Sequence, residues 1–194
     1  MTAFFPNIFN TVDFHLPQKR NRVLIFATTE IVPADFAAHY TPDNVKALFD
    51  EHYQQLGVQN YNTTLDLLEE HVDARYFLSE RLKPTILADG SANFKSRSDI
   101  NQLIARTLTA SMHKMHRACQ DNYYSQDFIE SHGAINHVED YTKEQLAQLD
   151  IRKLTPQEAF MLQGFPPEFA TNGQNAGVAN GSLYKQAGNA VSVN

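Results

Sequence analysis

Hydrophobic residues in this chain come in short blocks, separated by polar, turn-forming runs. NIFNTVDFHLPQKRNRVLIFATTE (7–30) reads as strand, loop, strand. Its RVLIFAT stretch is a continuous apolar run, the pattern of a strand buried on both faces. TPDNVKALFDEHYQQLG (41–57) reads as a helix with Thr41 as its cap, Pro42 at the first helical position and Gly57 ending it. TLDLLEEH (64–71) and ARYFLSERL (74–82) predict further short helices. ILADGSANFKSRS (86–98) is turn-rich and reads as a loop, after which INQLIARTLTASMHK (100–114) returns to β-branched residues. DYTKEQLAQL (140–149) predicts another capped helix.

The C-terminal quarter is the most strongly punctuated. In RKLTPQEAFMLQGFPPEF (152–169), Thr155 and Glu158 make a capping box with Pro156 at the first helical position. Gly164 predicts a stop after two turns, and Pro166-Pro167 forbids a restart. NGQNAGVANGSLYKQAGNAVSVN (172–194) begins as a Gly/Asn-rich loop, and GNAVSVN reads as the opening of a further element.

Composition adds class and compartment. The 194 residues are about two fifths hydrophobic, which suits one domain with a real core. No apolar run has transmembrane length and no secretory signal is visible. A single cysteine excludes an internal disulfide and a multi-thiolate metal site, so the cytoplasm is the expected compartment.

The net charge of −6 is unevenly spread. Residues 30–74 hold nine carboxylates against Lys46, a net of −8, whereas residues 75–117 hold eight Lys and Arg against three carboxylates, a net of +5. The basic block suits either a phosphate-facing surface or a solvated, charge-mixed face. His113 and His116 have the spacing of a helical metal pair, but no third ligand is evident and no metal is expected.

Taken together, LPQKRNRVLIFA, RKLTPQEAFMLQGFP and YKQAGNAVSV stand in one fixed order. They resemble the last three sequence blocks, motifs VIII, IX and X, of the bacterial restriction–modification DNA cytosine-5 methyltransferases. ARTLTASMHK is similar to the Thr-Leu core of the target-recognition region that this family places between VIII and IX. The likeness runs from about residue 8 to residue 194.

The resemblance implies an α/β fold. It would be the C-terminal portion of a doubly wound S-adenosyl-L-methionine-dependent methyltransferase, plus an irregular α+β target-recognition domain. Residues 1–74 would belong to the catalytic domain, 75–150 to target recognition, and 151–194 to motifs IX and X. Gln18, Arg20 and Arg22 match the family's Gln-x-Arg-x-Arg. Arg22 would contact the oxygen of a flipped cytosine, Arg20 would support the catalytic loop or a phosphate, and Gln18 would order the strand entrance. Thr107 and Leu108 match the Thr-Leu pair near the flipped base. Arg97, Arg106, Lys114 and Arg117 are candidates for phosphate or guanine contacts. Arg152, Leu154, Thr155, Pro156 and Glu158 match motif IX, a brace between the two domains. Asn189, Ala190 and Val191 match the segment that closes over the methionine end of the cofactor, with Gly188 permitting close backbone approach.

The family's Gly-rich cofactor strand, Pro-Cys nucleophile loop and Glu-Asn-Val segment have no counterpart here. The chain therefore resembles the C-terminal part of such an enzyme: a split subunit, a broken-gene product or a cut piece. It is expected to bind duplex DNA and a complementary chain carrying the missing segments, with no membrane partner. Cys119, in HRACQDN, differs by one residue from the family's Pro-Cys-Gln. It comes about a hundred residues after the arginines that the family's nucleophile precedes, which favours a structural cysteine.

Overall fold

The computed structural model describes residues 3–93 and 95–194. Strands β1 (Ala3–Asn10) and β2 (Asn21–Thr28) form an antiparallel hairpin in the register Phe5↔Phe26, Ile8↔Val23. Its connection is a tight 3-10 turn, Thr11–Phe14, followed by His15 in the left-handed region. The Asn10 side chain closes the hairpin mouth by accepting from the Arg20 backbone N–H at 3.2 Å.

Alternate side chains of a strand point to opposite faces. On one face, Phe5, Phe9 and Phe26 meet helices α1 (Phe36–His39) and α2 (Pro42–Leu56) through a run of aromatic contacts that includes Tyr40, Phe14 and Phe49. The other face carries Phe4, Ile8, Val23 and Ile25, each about 60% exposed. The expectation that the apolar run of β2 is buried on both faces is therefore corrected. Among the described residues β1 is its only strand neighbour, Val23 and Ile25 on its second face are about 60% exposed, and even Leu24 and Phe26 on the helix-facing side stay 47% and 41% exposed. Among the described residues the strands form only two separate two-stranded ladders, so this chain by itself does not show the expected doubly wound sheet.

Helix α2 has the predicted ends. The Thr41 hydroxyl accepts from the Asn44 N–H, and Gly57 takes a left-handed φ of 67°. The two short helices predicted next shrink to single 3-10 turns at Thr64–Asp66 and Ala74–Tyr76, with the Asp66 and Asp73 carboxylates accepting from backbone N–H groups at their starts. Helix α3 (Lys83–Leu87) follows. Residues 100–114 make no strand: the segment runs irregularly and pairs only through a bridge between Gln18 and Ala105.

Strand β3 (Tyr123–Ser125), helix α4 (Gln126–Glu130), helix α5 (Lys143–Leu146) and strand β4 (Ile151–Lys153) complete the middle region. The β3–β4 ladder separates two cores. Tyr123 faces a cluster with Ile86, Leu87, Ile100 and Ile151. Its neighbour Tyr124 faces a larger cluster with Leu68, Leu108, Phe128 and Phe160.

Helix α6 (Pro156–Met161) has the predicted capping box and length. The chain then departs from the reading that Pro166-Pro167 prevents a restart. Helix α7 (Glu168–Asn175) begins directly after Pro167, because proline is tolerated ahead of the first helical bonds. Helix α8 (Asn180–Asn189) follows in the stretch that begins Gly/Asn-rich, and it ends within GNAVSVN, where the sequence read as the opening of an element. Leu183, Tyr184 and Ala187 of α8 and Ala170 of α7 enter the larger core, and this burial overrides the low helix propensity of the Gly and Asn residues around them. Residues 190–194 run on without regular structure. Among the described residues no helix is long and apolar enough to cross a membrane.

Candidate functional site

The segment after the hairpin turn is the hub of the molecule. Gln18 is fully buried. Its side-chain amide donates to the Leu162 carbonyl at 2.9 Å, and its oxygen accepts from the Leu108 N–H at 2.9 Å. The bridge to Ala105 is completed by Lys19 N–H donating to the Ala105 carbonyl and Ala105 N–H donating to the Pro17 carbonyl. The Thr107 hydroxyl donates to the Lys19 carbonyl.

Arg20 is 2% exposed and, among the described residues, pairs with no carboxylate. Its guanidinium donates to three backbone carbonyls: Leu108 at 3.1 Å, Gly188 at 3.2 Å and Ala190 at 2.7 Å. Burial, with a smaller contribution from the Arg22 charge, pulls its pKa down to about 10, so it stays protonated at neutral pH. Arg22, two residues on along β2, is exposed and donates to the adjacent Asn21 carbonyl at 2.7 Å.

Arg152 and Glu158 form a second buried centre, with Arg152 fully buried in the middle of β4. Glu158 also accepts from the Thr155 N–H at 2.7 Å and the Glu69 N–H at 2.8 Å. Arg152 donates to the Glu69 carbonyl at 2.8 Å. This one pair thus fixes the start of α6 and the 64–70 turn together. Pro156 is buried at the first position of α6, and the Leu154 carbonyl accepts from the Tyr184 hydroxyl.

Four separated segments therefore converge: 16–22, 105–109, 152–163 and 187–190. The family described as C-5 cytosine-specific DNA methylase matches residues 3–194. The chain belongs to this family. Among similar proteins are the type II methyltransferase M.NgoBI of Neisseria gonorrhoeae, 28% identical over 99% of this chain and 47% of the relative, and M.SsoII of Shigella sonnei, 29% identical over 96% and 40%. The chain thus spans half or less of the length of these relatives. Two solved structures share the fold at 17% identity. Schizosaccharomyces pombe Dnmt2 gives a TM-score of 0.67 over 98% of this chain and 53% of that one, and Entamoeba histolytica methyltransferase EhMeth gives 0.63 over 98% and 50%.

For this cytosine-methylase chain, the sequence-derived site residues fall into groups. Gln18, Arg20, Arg152, Thr155, Pro156 and Glu158 form the buried frame. Arg22 and Thr107 stand at its surface. Leu108 is only 3% exposed, so its side chain anchors the loop in the core and leaves surface contacts to its neighbours. Asn189 and Ala190 border an open concavity of about 520 Å³ with Ser182, Lys185 and Gln186. Val191 turns instead to an apolar cavity of about 500 Å³ between the hairpin and α2, which Arg20, Arg22 and Leu48 also line.

The basic candidates do not all stand free. Arg97 is paired with Asp99 at 2.7 Å, and exposed Arg117 donates to the Asp89 carbonyl at 2.8 Å. Half-buried Arg106 donates to the Ala118 carbonyl at 2.9 Å, while Lys114 is exposed. The helical His113/His116 pair is corrected. A 3-10 turn covers 112–114 and Met115 is left-handed, so the two rings do not share a helix face, and His116 Nε2 lies 3.0 Å from the Ser111 hydroxyl. No cluster of three metal-ligating side chains occurs among the described residues. Cys119 is a half-buried free thiol in the turn beside Ala118, a residue of the smaller core.

Two further residues of the frame carry no readable sequence signal. Gln163 is fully buried; its amide donates to the Ala187 carbonyl at 2.9 Å and its oxygen accepts from the Ser192 hydroxyl at 2.8 Å. Glu69 accepts from Gln157 at 3.1 Å, and burial together with the nearby Glu158 charge raises its pKa. In sequence, Glu69 looks like one more solvated charge in LLEEH.

Proposed function

We propose that this chain is the target-recognition and base-facing part of a DNA cytosine-5 methyltransferase, completed by a segment that carries the Gly-rich strand, the cysteine nucleophile and the Glu-Asn-Val acid. The observation that carries the reading is the Arg20–Gln18 hub. It draws the Thr107–Leu108 loop, the α6 brace and the end of α8 around the exposed Arg22.

The chemistry follows from cytosine. Its carbon-5 is too weak a nucleophile to take a methyl group directly, so a thiolate must first add at carbon-6 of a base flipped out of the duplex. Negative charge then builds on the ring nitrogen and carbonyl oxygen. A fixed cation beside that oxygen favours the transition state over the ground state. Arg22 fills this role. Its guanidinium is permanently charged and planar, and it is accessible at the rim of the hub. Arg20 is committed to three carbonyls and holds the scaffold rather than the base. Thr107, tied to Lys19, keeps the loop against Arg22's strand. Lys114, Arg106 and Arg117 supply positive charge for the duplex backbone, with Arg97 partly neutralised by Asp99.

S-adenosyl-L-methionine supplies the methyl group when bound. The concavity at the end of α8 fits one end of it. Exposed Asn189 with Ser182, Gln186 and Lys185 offers amide, hydroxyl and ammonium groups suited to an amino-acid carboxylate. No aromatic side chain on which a purine ring could stack is in that lining, so the remaining contacts fall to the complementary segment.

The docking place for that segment is the bare side of the hairpin. The open edge of β2 and its uncovered apolar face are unsatisfied surface, and the 500 Å³ cavity lies on the opposite, α2-facing side of the same hairpin. The test mixes this chain with a chain carrying the three missing segments and measures labelled methyl transfer into duplex DNA. Transfer by the pair and not by either chain supports the proposal. No transfer from a soluble, associated pair points to a DNA-binding module without catalysis. Transfer by this chain alone refutes the claim that the nucleophile lies elsewhere.

A further inference from the structure

Gly188 sits inside α8, where glycine is intrinsically unfavourable. Its surroundings explain it. A methyl group there would lie 2.3 Å from the Thr109 carbonyl carbon and oxygen and 2.4 Å from the Ala110 nitrogen. The recognition loop thus rests directly on the helix backbone. Gly181, in the first turn of the same helix, faces open space.

Arg20 fastens the same two segments by another route, bonding Leu108 on the loop and both Gly188 and Ala190 on the end of α8. Neither fastener leaves slack. The Gly188 contact is van der Waals packing of backbone on backbone, and the Arg20 contact uses both terminal nitrogens of its guanidinium.

We infer that Gly188 and Arg20 form a clamp that joins the Thr107–Ala110 loop to the 188–190 end of α8, so that occupancy of one is felt at the other. Gly188 is the positioning residue. It touches neither base nor cofactor, and acts by setting the distance between the segments that do. The identity of those two ligands rests on the function proposed above, whereas the clamp itself does not. If the loop takes the flipped base and the α8 end takes S-adenosyl-L-methionine, each ligand must raise the affinity of the other by the same factor.

Two measurements test this. The first is hydrogen exchange on the full chain for Gly188→Ala and Arg20→Lys, with Gly181→Ala as control. In both clamp variants, amides of 105–110 and 187–191 are expected to exchange about fivefold faster or more, together, with α6 unchanged and the control at wild-type rates. Faster exchange in only one segment, or throughout the chain, overturns the clamp.

The second is S-adenosyl-L-methionine affinity in the complemented pair, with and without duplex DNA. Wild type should show linkage of about fivefold or more that falls to about one in Gly188→Ala, with Arg20→Lys between them. Linkage unchanged in Gly188→Ala overturns the coupling. A wild-type pair that binds neither ligand counts against the proposed function and leaves exchange to decide the clamp.

Discussion

Arg152 and Glu158 meet in a two-pronged ion pair from which water is excluded: Nη1 to Oε2 at 2.9 Å and Nη2 to Oε1 at 2.7 Å, both side chains 0% exposed. Burying two charges is costly, so such a pair is more informative when broken than when counted. Arg152→Met leaves the Glu158 carboxylate buried with only backbone donors. It is expected to destabilise the chain by about 3–5 kcal/mol in urea unfolding. Adding Glu158→Leu should recover part of that loss, limited by the Thr155 and Glu69 amides it orphans.

Glu69 gives the fold a pH dependence of definite sign. Burial and the Glu158 charge raise its folded pKa above the unfolded value. The fold therefore favours the protonated form. That stabilisation is complete below the ordinary glutamate pKa and is lost as pH rises through the raised value. Glu69→Gln, which keeps an acceptor for Gln157, should flatten this dependence. Its urea midpoint should exceed that of wild type at pH 7, and the gap should narrow toward pH 4.

Gln18→Leu retains volume but removes the partners of the Leu162 carbonyl and the Leu108 amide. Each orphaned buried group costs about 1–3 kcal/mol. The expected outcome is a clear fall in stability, together with faster exchange at the Leu108 amide. A wild-type unfolding midpoint would show that the hub is dispensable.

Arg22→Ala should behave in the opposite way. The residue is exposed, so stability should change by no more than about 0.5 kcal/mol. Methyl transfer by the complemented pair should fall about 10²-fold or more if the guanidinium stabilises the charged base. Comparable losses in stability and activity would move Arg22 into the scaffold.

The uncovered side of the hairpin makes a solution prediction. Val23→Lys with Ile25→Lys places charges on the exposed face of the hairpin, where these two side chains are 58% and 61% exposed. Self-association in light scattering should fall with little change in unfolding midpoint, and complementation should be lost.

The helix caps were legible because they are local. Thr41 with Gly57, and Thr155 with Pro156 and Glu158, decide their helix ends within a few residues. Helices α7 and α8 were not legible, since Gly, Asn and Pro argue against them locally and only the burial of Ala170, Leu183 and Tyr184 argues for them. The site divides in the same way. Gln18, Arg20 and Arg22 stood out as a spaced pattern, but the pattern did not separate the buried Arg20 from the exposed Arg22. Gln163 and Glu69 take meaning only from partners 24 to 89 residues away. The apolar content of β2 was plain, yet its exposure depends on what lies beside it.

The bonds of Arg20 also set a timetable for folding. Its acceptors lie 88, 168 and 170 residues further along the chain. Contacts of such sequence separation form late, because the loops they close must lose entropy first. During synthesis the N-terminal end emerges first. The hairpin can zip early, but Arg20 has two of its three acceptors only once α8 has left the ribosome. Until then an arginine with no place to bury its charge lies beside an uncovered apolar face, and the nascent chain is most vulnerable to aggregation in the interval before α8 arrives.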